Sequence, residues 1–180
     1  ELKAEGSSIT EGIAQGRITR NLEGAVVDHA FQIPDAEAVS QVFRLLAQDL
    51  EGRHTVEHLS DLLSELADRV LAIAIELLWS QSAQRFREAP RFAAIAYGKL
   101  GSKELGYASD LDLVFLYDDD DERAPEAYSH LARKLGGWLS TRTAAGLLFE
   151  IDLRLRPNGN AGLLVSTLKS FTEYQLQSAW

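Results

Sequence analysis

Residues 110–117 read Asp-Leu-Asp-Leu-Val-Phe-Leu-Tyr: two carboxylates, Asp110 and Asp112, at the head of the apolar run Leu113–Tyr117. An apolar run of this length predicts a buried strand, in which residues i and i+2 face the same way about 6.6 Å apart. Both carboxylates therefore point to one place. Two such charges side by side raise each other's pKa unless a cation neutralises them, and Mg²⁺ bridging to substrate phosphates is the usual solution. Ahead of them lies a glycine-punctuated turn, Gly98-Lys99-Leu100-Gly101-Ser102, whose backbone N–H groups are of the kind that cradles phosphate.

Composition narrows the classes. The chain has 180 residues, 46% of them hydrophobic, enough for one domain or a small domain with a helical appendage. It has no initiator Met, no apolar run long enough to span a bilayer and no signal-peptide pattern, which predicts a soluble piece of a larger protein without a membrane partner. The absence of Cys excludes disulfides and thiolate metal sites and fits a cytoplasmic protein. With 18 basic and 27 acidic residues the formal charge is 18 − 27 = −9, which argues against nucleic acid as a partner, since that needs a basic stripe. The run Asp118–Glu122 is expected to be a solvated loop after the strand.

The chain divides at about residue 90, with a helical subdomain over 1–90 and the chemistry-bearing domain over 91–180. Four glycines before Pro34 interrupt any pattern in residues 1–34. Asp35 then caps a helix expected over 36–51, with Val39, Val42, Phe43 and Leu46 at helical spacing. A longer helix is predicted from Thr55 to about Arg87, its stripe formed by Leu59, Leu62, Leu63, Leu66, Val70, Ile73 and Leu77 and widened by Leu71, Ile75 and Leu78. Beyond Pro90 the period changes, with short strands at 92–97 and 111–117, the second apolar on both faces and so central in its sheet. A helix follows over 125–143, stopped by Gly146. A third strand is expected over 147–156, with Leu147, Phe149, Ile151, Leu153 and Leu155 on one face and Glu150, Asp152, Arg154 and Arg156 on the other. A polar turn at 157–162, a short strand at 163–165 and a helix capped by Ser166 or Thr167 complete the pattern.

If the strands are neighbours, Asp152 joins Asp110 and Asp112 as a third carboxylate. Such a trio holds one or two Mg²⁺ ions for in-line attack on the α-phosphate of a nucleoside triphosphate. Asp152 is placed to accept the attacking hydroxyl's proton, and the planar forks of Arg154 and Arg156 suit phosphate oxygens.

The stretches YGKLGSKELGYASDLDLVFLY (97–117) and FEIDLRLRPNGNAG (149–162) resemble the family of bifunctional glutamine synthetase adenylyltransferase/adenylyl-removing enzymes, members of the DNA polymerase β-like nucleotidyltransferase superfamily. The likeness covers residues from about 92 to 180. It implies an α+β fold, a mixed sheet with flanking helices preceded by a helical subdomain, and transfer of AMP from ATP to a tyrosine of glutamine synthetase. It further implies Mg²⁺ or Mn²⁺ held by Asp110, Asp112 and Asp152, the same residues being catalytic. Nucleotide binding would fall to Gly98, Lys99, Gly101, Ser102, Ser109, Arg154 and Arg156. Glutamine and the PII signalling protein are the regulators the family implies. The family joins two such domains, one removing AMP by phosphorolysis and one adding it; Glu104-Leu105-Gly106-Tyr107 before Ser109-Asp110-Leu111-Asp112 resembles the adding half. One departure stands out: the superfamily turn has Gly followed by Gly or Ser, whereas Gly98 precedes Lys99, and Gly101-Ser102 lies closer to Asp110 than is usual.

Other readings fit less well. A haloacid-dehalogenase nucleophile follows its strand, whereas here the apolar run follows the carboxylates. Residues 98–106 match neither a P-loop nor a dinucleotide fingerprint. His54 and His58 lack a third ligand and are expected on a solvated helix face. Arg154 and Arg156 paired with Glu150 and Asp152 in a structural ion network is the plain alternative to phosphate binding, and Trp79 and Trp138 are expected in the core. A catalytically silent module that binds only nucleotide or a regulator is the rival from another class.

Overall fold

The computed structural model describes residues 44–141, 147 and 149–178. It divides into two compact units, one of residues up to Thr55 with Thr141–Leu148, the other of Val56–Ser140 with Phe149–Trp180. In the first, residues 44–50 are helical, the C-terminal part of the helix expected over 36–51. Gly52, at φ +67°, ends it, and its N–H donates to Asp49 O at 2.8 Å. His54 Nε2 lies 3.1 Å from Gln48 Oε1. The expectations for residues 1–43 and 142–146 lie outside the described residues.

The second unit opens with helix α1, Val56–Ser80. Its buried face is Leu63, Ser64, Ala67, Leu71, Ala74 and Trp79, so the stripe predicted through Leu66, Val70 and Ile73 is rotated, and Ile73 is 55% exposed. Ala67 and Ala74 lie on the buried face and α1 packs on helix α3, Ala124–Leu139, so packing decides between adjacent stripes of similar apolarity. α1 also stops at Ser80 rather than Arg87. The chain turns there because Ser82 Oγ accepts from Gln84 N at 3.2 Å and Trp79 Nε1 donates to Arg87 O at 3.1 Å.

Strands β1 (Phe92–Tyr97) and β2 (Leu111–Tyr117) pair antiparallel with Phe92 opposite Tyr117 and Tyr97 opposite Asp112. The other edge of β2 is shared by two short parallel strands, β3 (Ile151–Asp152) at its start and β4 (Val165–Thr167) at its end. β2 is thus central, as its two apolar faces require. One face, with Leu111, Leu113, Phe115 and Tyr117, packs on the helices through a ring cluster in which Tyr128 lies 5.1 Å from Tyr117, 5.2 Å from Trp79 and 6.0 Å from Phe92. Trp79 is core; Trp138 is half-buried.

The third strand is much shorter than the alternation over 147–156 predicted. After Asp152 the chain turns, with Arg154 N donating to Asp152 Oδ1 at 2.8 Å and Arg156 N to Leu153 O at 3.4 Å, so Leu155 is 49% exposed instead of packed. An alternating pattern gives a strand only where it finds a neighbouring edge, and β3 pairs with just two residues of β2, Leu111 and Asp112, while β4 pairs farther along with Phe115–Tyr117. Helix α4, Leu168–Gln177, is capped by Thr167 Oγ1 accepting from Ser170 N at 3.0 Å.

The acidic run after β2 is the exposed loop expected at Asp118, Asp120 and Glu122, and departs from it at Asp119. Asp119 has a side chain only 1% exposed, held by Arg87 at 2.8 Å, by Tyr128 Oη–H at 2.8 Å and by Asp121 N at 3.2 Å. A buried carboxylate persists only when paired and hydrogen-bonded, and this one ties the loop before α3 to the segment after α1. Burial, then donation to Asp119, pushes the Tyr128 phenol up to about 12.

Candidate active site

The site grows from the end of β1. Tyr97 stands opposite Asp112, and the next residue, Gly98, turns the chain at φ +54°, a region that favours glycine. A Cβ built on Gly98 would lie 2.1 Å from Asp112 Oδ2. The backbone therefore passes directly over the carboxylate, with room for hydrogen alone. Gly98–Gly101 form one short helical turn, α2, which Ser102 closes by donating both its N–H and its Oγ–H to Gly98 O at 3.0 Å. Gly101 serves the other side, since a Cβ there would be 2.6 Å from Ala96 O on β1. Farther along, Ser109 Oγ accepts from Gly106 N at 2.9 Å and fastens the loop that delivers Asp110 to the sheet.

Asp110 immediately precedes β2, Asp112 is its second residue, and Asp152 ends β3. In the parallel ladder Asp112 is the partner of Asp152, so both project to the same face, the one turned away from the ring cluster. One oxygen from each of Asp110, Asp112 and Asp152 lies within 4.8 Å of the others. All three residues are half-buried.

The electrostatics divide the trio. Partial burial, then the like charges of Asp110 and Asp152, push Asp112 upward, against the pull of Arg154 and Lys99. Asp152 moves the other way, down to about 2, because the Arg154 side chain and then its backbone N–H donate to it. Arg154 Nε reaches Asp152 Oδ2 at 2.8 Å and Oδ1 at 3.0 Å, and its NH2 also donates to Oδ2. The alternative of an Arg–Asp ion pair is thus realised at Arg154, locally in sequence instead of across strands. Arg156 donates elsewhere, to Leu153 O at 2.6 Å and Asn160 O at 3.4 Å, bracing the 157–162 turn. Lys99 is exposed.

Ionised carboxylates accept hydrogen bonds and donate none, and three sharing so small a volume, with Asp112 destabilised by its neighbours, could hold a hard divalent cation. The residues present fit Mg²⁺ or Mn²⁺. The register that brings Asp152 beside Asp112 carries no local sequence signal, because it depends on which edge β3 joins. The Asp119 anchor likewise went unsignalled.

A mixed four-stranded sheet with flanking helices and three carboxylates gathered at one end is compatible with a nucleotidyltransferase-like fold. Residues 37–180 match the family model for glutamate-ammonia ligase adenylyltransferase. The chain belongs to that family. It is similar to the bifunctional glutamine synthetase adenylyltransferase/adenylyl-removing enzyme of Burkholderia mallei, 65% identical over 138 residues, covering 77% of this chain and 15% of that protein. The Ralstonia nicotianae protein of the same name is 56% identical over 161 residues, covering 87% of this chain and 17% of that one. That of Neisseria meningitidis serogroup A is 57% identical over 141 residues, covering 78% and 16%. The chain thus spans about a sixth of the length of the curated relatives it matches. Among the described residues no helix is long and apolar enough to cross a membrane.

Proposed function

We propose that residues 91–180 carry the site that transfers AMP from ATP to a tyrosine hydroxyl of glutamine synthetase, with residues 1–90 as a helical lead-in. The observation that carries this reading is the parallel register of Asp112 with Asp152, with Asp110 inside the same 4.8 Å cluster. A divalent ion held by the three carboxylates would neutralise charge on the phosphates as the bond from the α-phosphorus to the pyrophosphate oxygen breaks. Asp152 takes the proton of the tyrosine hydroxyl as its oxygen bonds to the α-phosphorus, and pyrophosphate leaves. Gly98, Lys99, Gly101 and Ser102 border the triphosphate, Ser109 holds the loop behind Asp110, and Arg154 and Arg156 supply cationic forks for phosphate oxygens. Glutamine and the PII signalling protein would regulate this step in the cytoplasm, and neither nucleic acid nor membrane is a partner.

The adding direction rests on Glu104-Leu105-Gly106-Tyr107 before the Asp-x-Asp pair. Incubation with labelled ATP, Mg²⁺ and unmodified glutamine synthetase should label the synthetase. Release of ADP from adenylylated synthetase with phosphate, without labelling by ATP, would assign the chain to the removing direction; neither reaction would leave a silent binding module.

A further inference from the structure

Arg154 holds the third carboxylate in an unusually complete way for an exposed residue. Its side chain is 73% exposed while that of Asp152 is 15% exposed, so the guanidinium meets the carboxylate from the solvent side. Both Asp152 oxygens accept from it, and Oδ1 also accepts from the Arg154 backbone N–H. The charges of Asp112 and Asp110 act on the same guanidinium. Ligand oxygens that a cation needs are therefore already engaged by a cation that belongs to the chain. A guanidinium bound to both oxygens and a divalent ion compete for the same lone pairs.

We propose that Arg154 is a built-in stand-in cation that keeps the carboxylate trio closed to free divalent ions, and that the triphosphate opens the site by drawing Arg154 onto its own oxygens. This rests on the reading of the trio as a metal-binding nucleotidyltransferase site and deepens it by making ion binding conditional on nucleotide. The physical basis is an exchange of equivalents. The guanidinium trades a carboxylate for a phosphate with the same bidentate geometry, while Asp152 trades a guanidinium for a metal ion. Neither group is left unpaired. Without nucleotide, an arriving ion must displace Arg154 into water with no such compensation.

The test is Mn²⁺ binding to the purified protein, read from the electron paramagnetic resonance signal of free Mn²⁺, with and without an ATP analogue carrying a methylene bridge between the α- and β-phosphorus. Binding that Asp112→Asn abolishes defines the signal from this site. Arg154→Gln should bind Mn²⁺ alone roughly tenfold more tightly than the unaltered protein, the scale of one charged hydrogen-bonding partner. The tightening of Mn²⁺ by the analogue should shrink by a similar factor. Arg154→Lys, which keeps the charge and loses the fork, should fall between the two, separating occupancy of the oxygens from the mere presence of positive charge. Circular dichroism checks that each variant is folded. Equal or weaker binding of Mn²⁺ alone by folded Arg154→Gln, or coupling to the analogue unchanged in that variant, would overturn the proposal. An Mn²⁺ signal insensitive to Asp112→Asn throughout would instead remove the metal-site reading, and the proposal with it.

Discussion

Gly98 and Asp112 share a space that admits only one of them with a side chain: the Cβ that any other residue would carry at position 98 falls 2.1 Å from Asp112 Oδ2. The positive φ of Gly98 and the antiparallel pairing of Tyr97 with Asp112 impose this contact together. A glycine otherwise read as a phosphate-loop residue is also what lets a carboxylate stand upright at the end of its strand.

Gly98→Ala is therefore expected to lower AMP transfer by about two orders of magnitude, the scale of a 1 Å misplacement of a reacting group. The melting temperature should fall only modestly, since the left-handed backbone costs an alanine about 1 kcal/mol. Gly101→Ala makes the informative contrast. Its Cβ meets backbone, Ala96 O at 2.6 Å, so it should lose stability together with activity. Thermal melts beside transfer assays distinguish the two, and near-normal transfer by Gly98→Ala would disprove the packing role.

Replacing Asp110 or Asp112 with Asn should reduce transfer by several orders of magnitude while circular dichroism stays unchanged, because the metal site alone needs those charges. For Asp112 a sign follows from its upward shift. A carboxylate raised in the folded state adds stability while protonated and loses it as pH rises through the folded value. In divalent-free buffer Asp112→Asn should thus be slightly more stable than the parent at neutral pH, with the gap closing toward acid. A gap between variant and parent that widens toward acid would contradict the upward shift of Asp112.

Asp152→Asn should separate binding from chemistry. Its strand position beside Asp112 argues for a role in the transfer step beyond ligation. Calorimetry should find affinity for ATP with Mg²⁺ largely kept and turnover reduced by about 10²- to 10⁴-fold, the range for lost general-base catalysis. Lost affinity with an untouched chemical step would rule out the proton-accepting role.

The buried Asp119 anchor yields predictions about stability. Arg87→Ala removes the charged partner of a carboxylate that is 1% exposed, and breaking such a pair costs about 3 to 5 kcal/mol, measurable by urea unfolding. Tyr128 adds a pH dependence. Its phenol is raised to about 12 from an ordinary 10, so its contribution is complete below pH 10 and is lost as pH climbs from 10 to 12. Tyr128→Phe should be less stable at pH 7, by about 1 to 3 kcal/mol for the lost donor, and its alkaline limb should be flatter. An unaltered limb would show that another group titrates there.

Local pattern accounts for much of this molecule. The strands over 92–97 and 111–117, the centrality of β2 and the cap at Thr167 follow from periodicity and hydrogen-bonding chemistry spanning a few residues, which the chain carries wherever it folds. Asp110 and Asp112 share a face for the same reason: alternation is a property of the strand itself. What sits beside them is not local. Asp152 reaches the site because β3 joins β2 in one parallel register, and the strand ends there because the chain turns at once after Asp152, a turn invisible in the alternation over 147–156. The face α1 buries was settled by its packing on α3, where Trp79 stacks on Tyr128. Asp119 became an anchor only once distant segments had met. Charge and periodicity name the groups a chain brings, but which groups desolvate and pair depends on contacts between residues far apart in sequence, and those exist only in the folded structure.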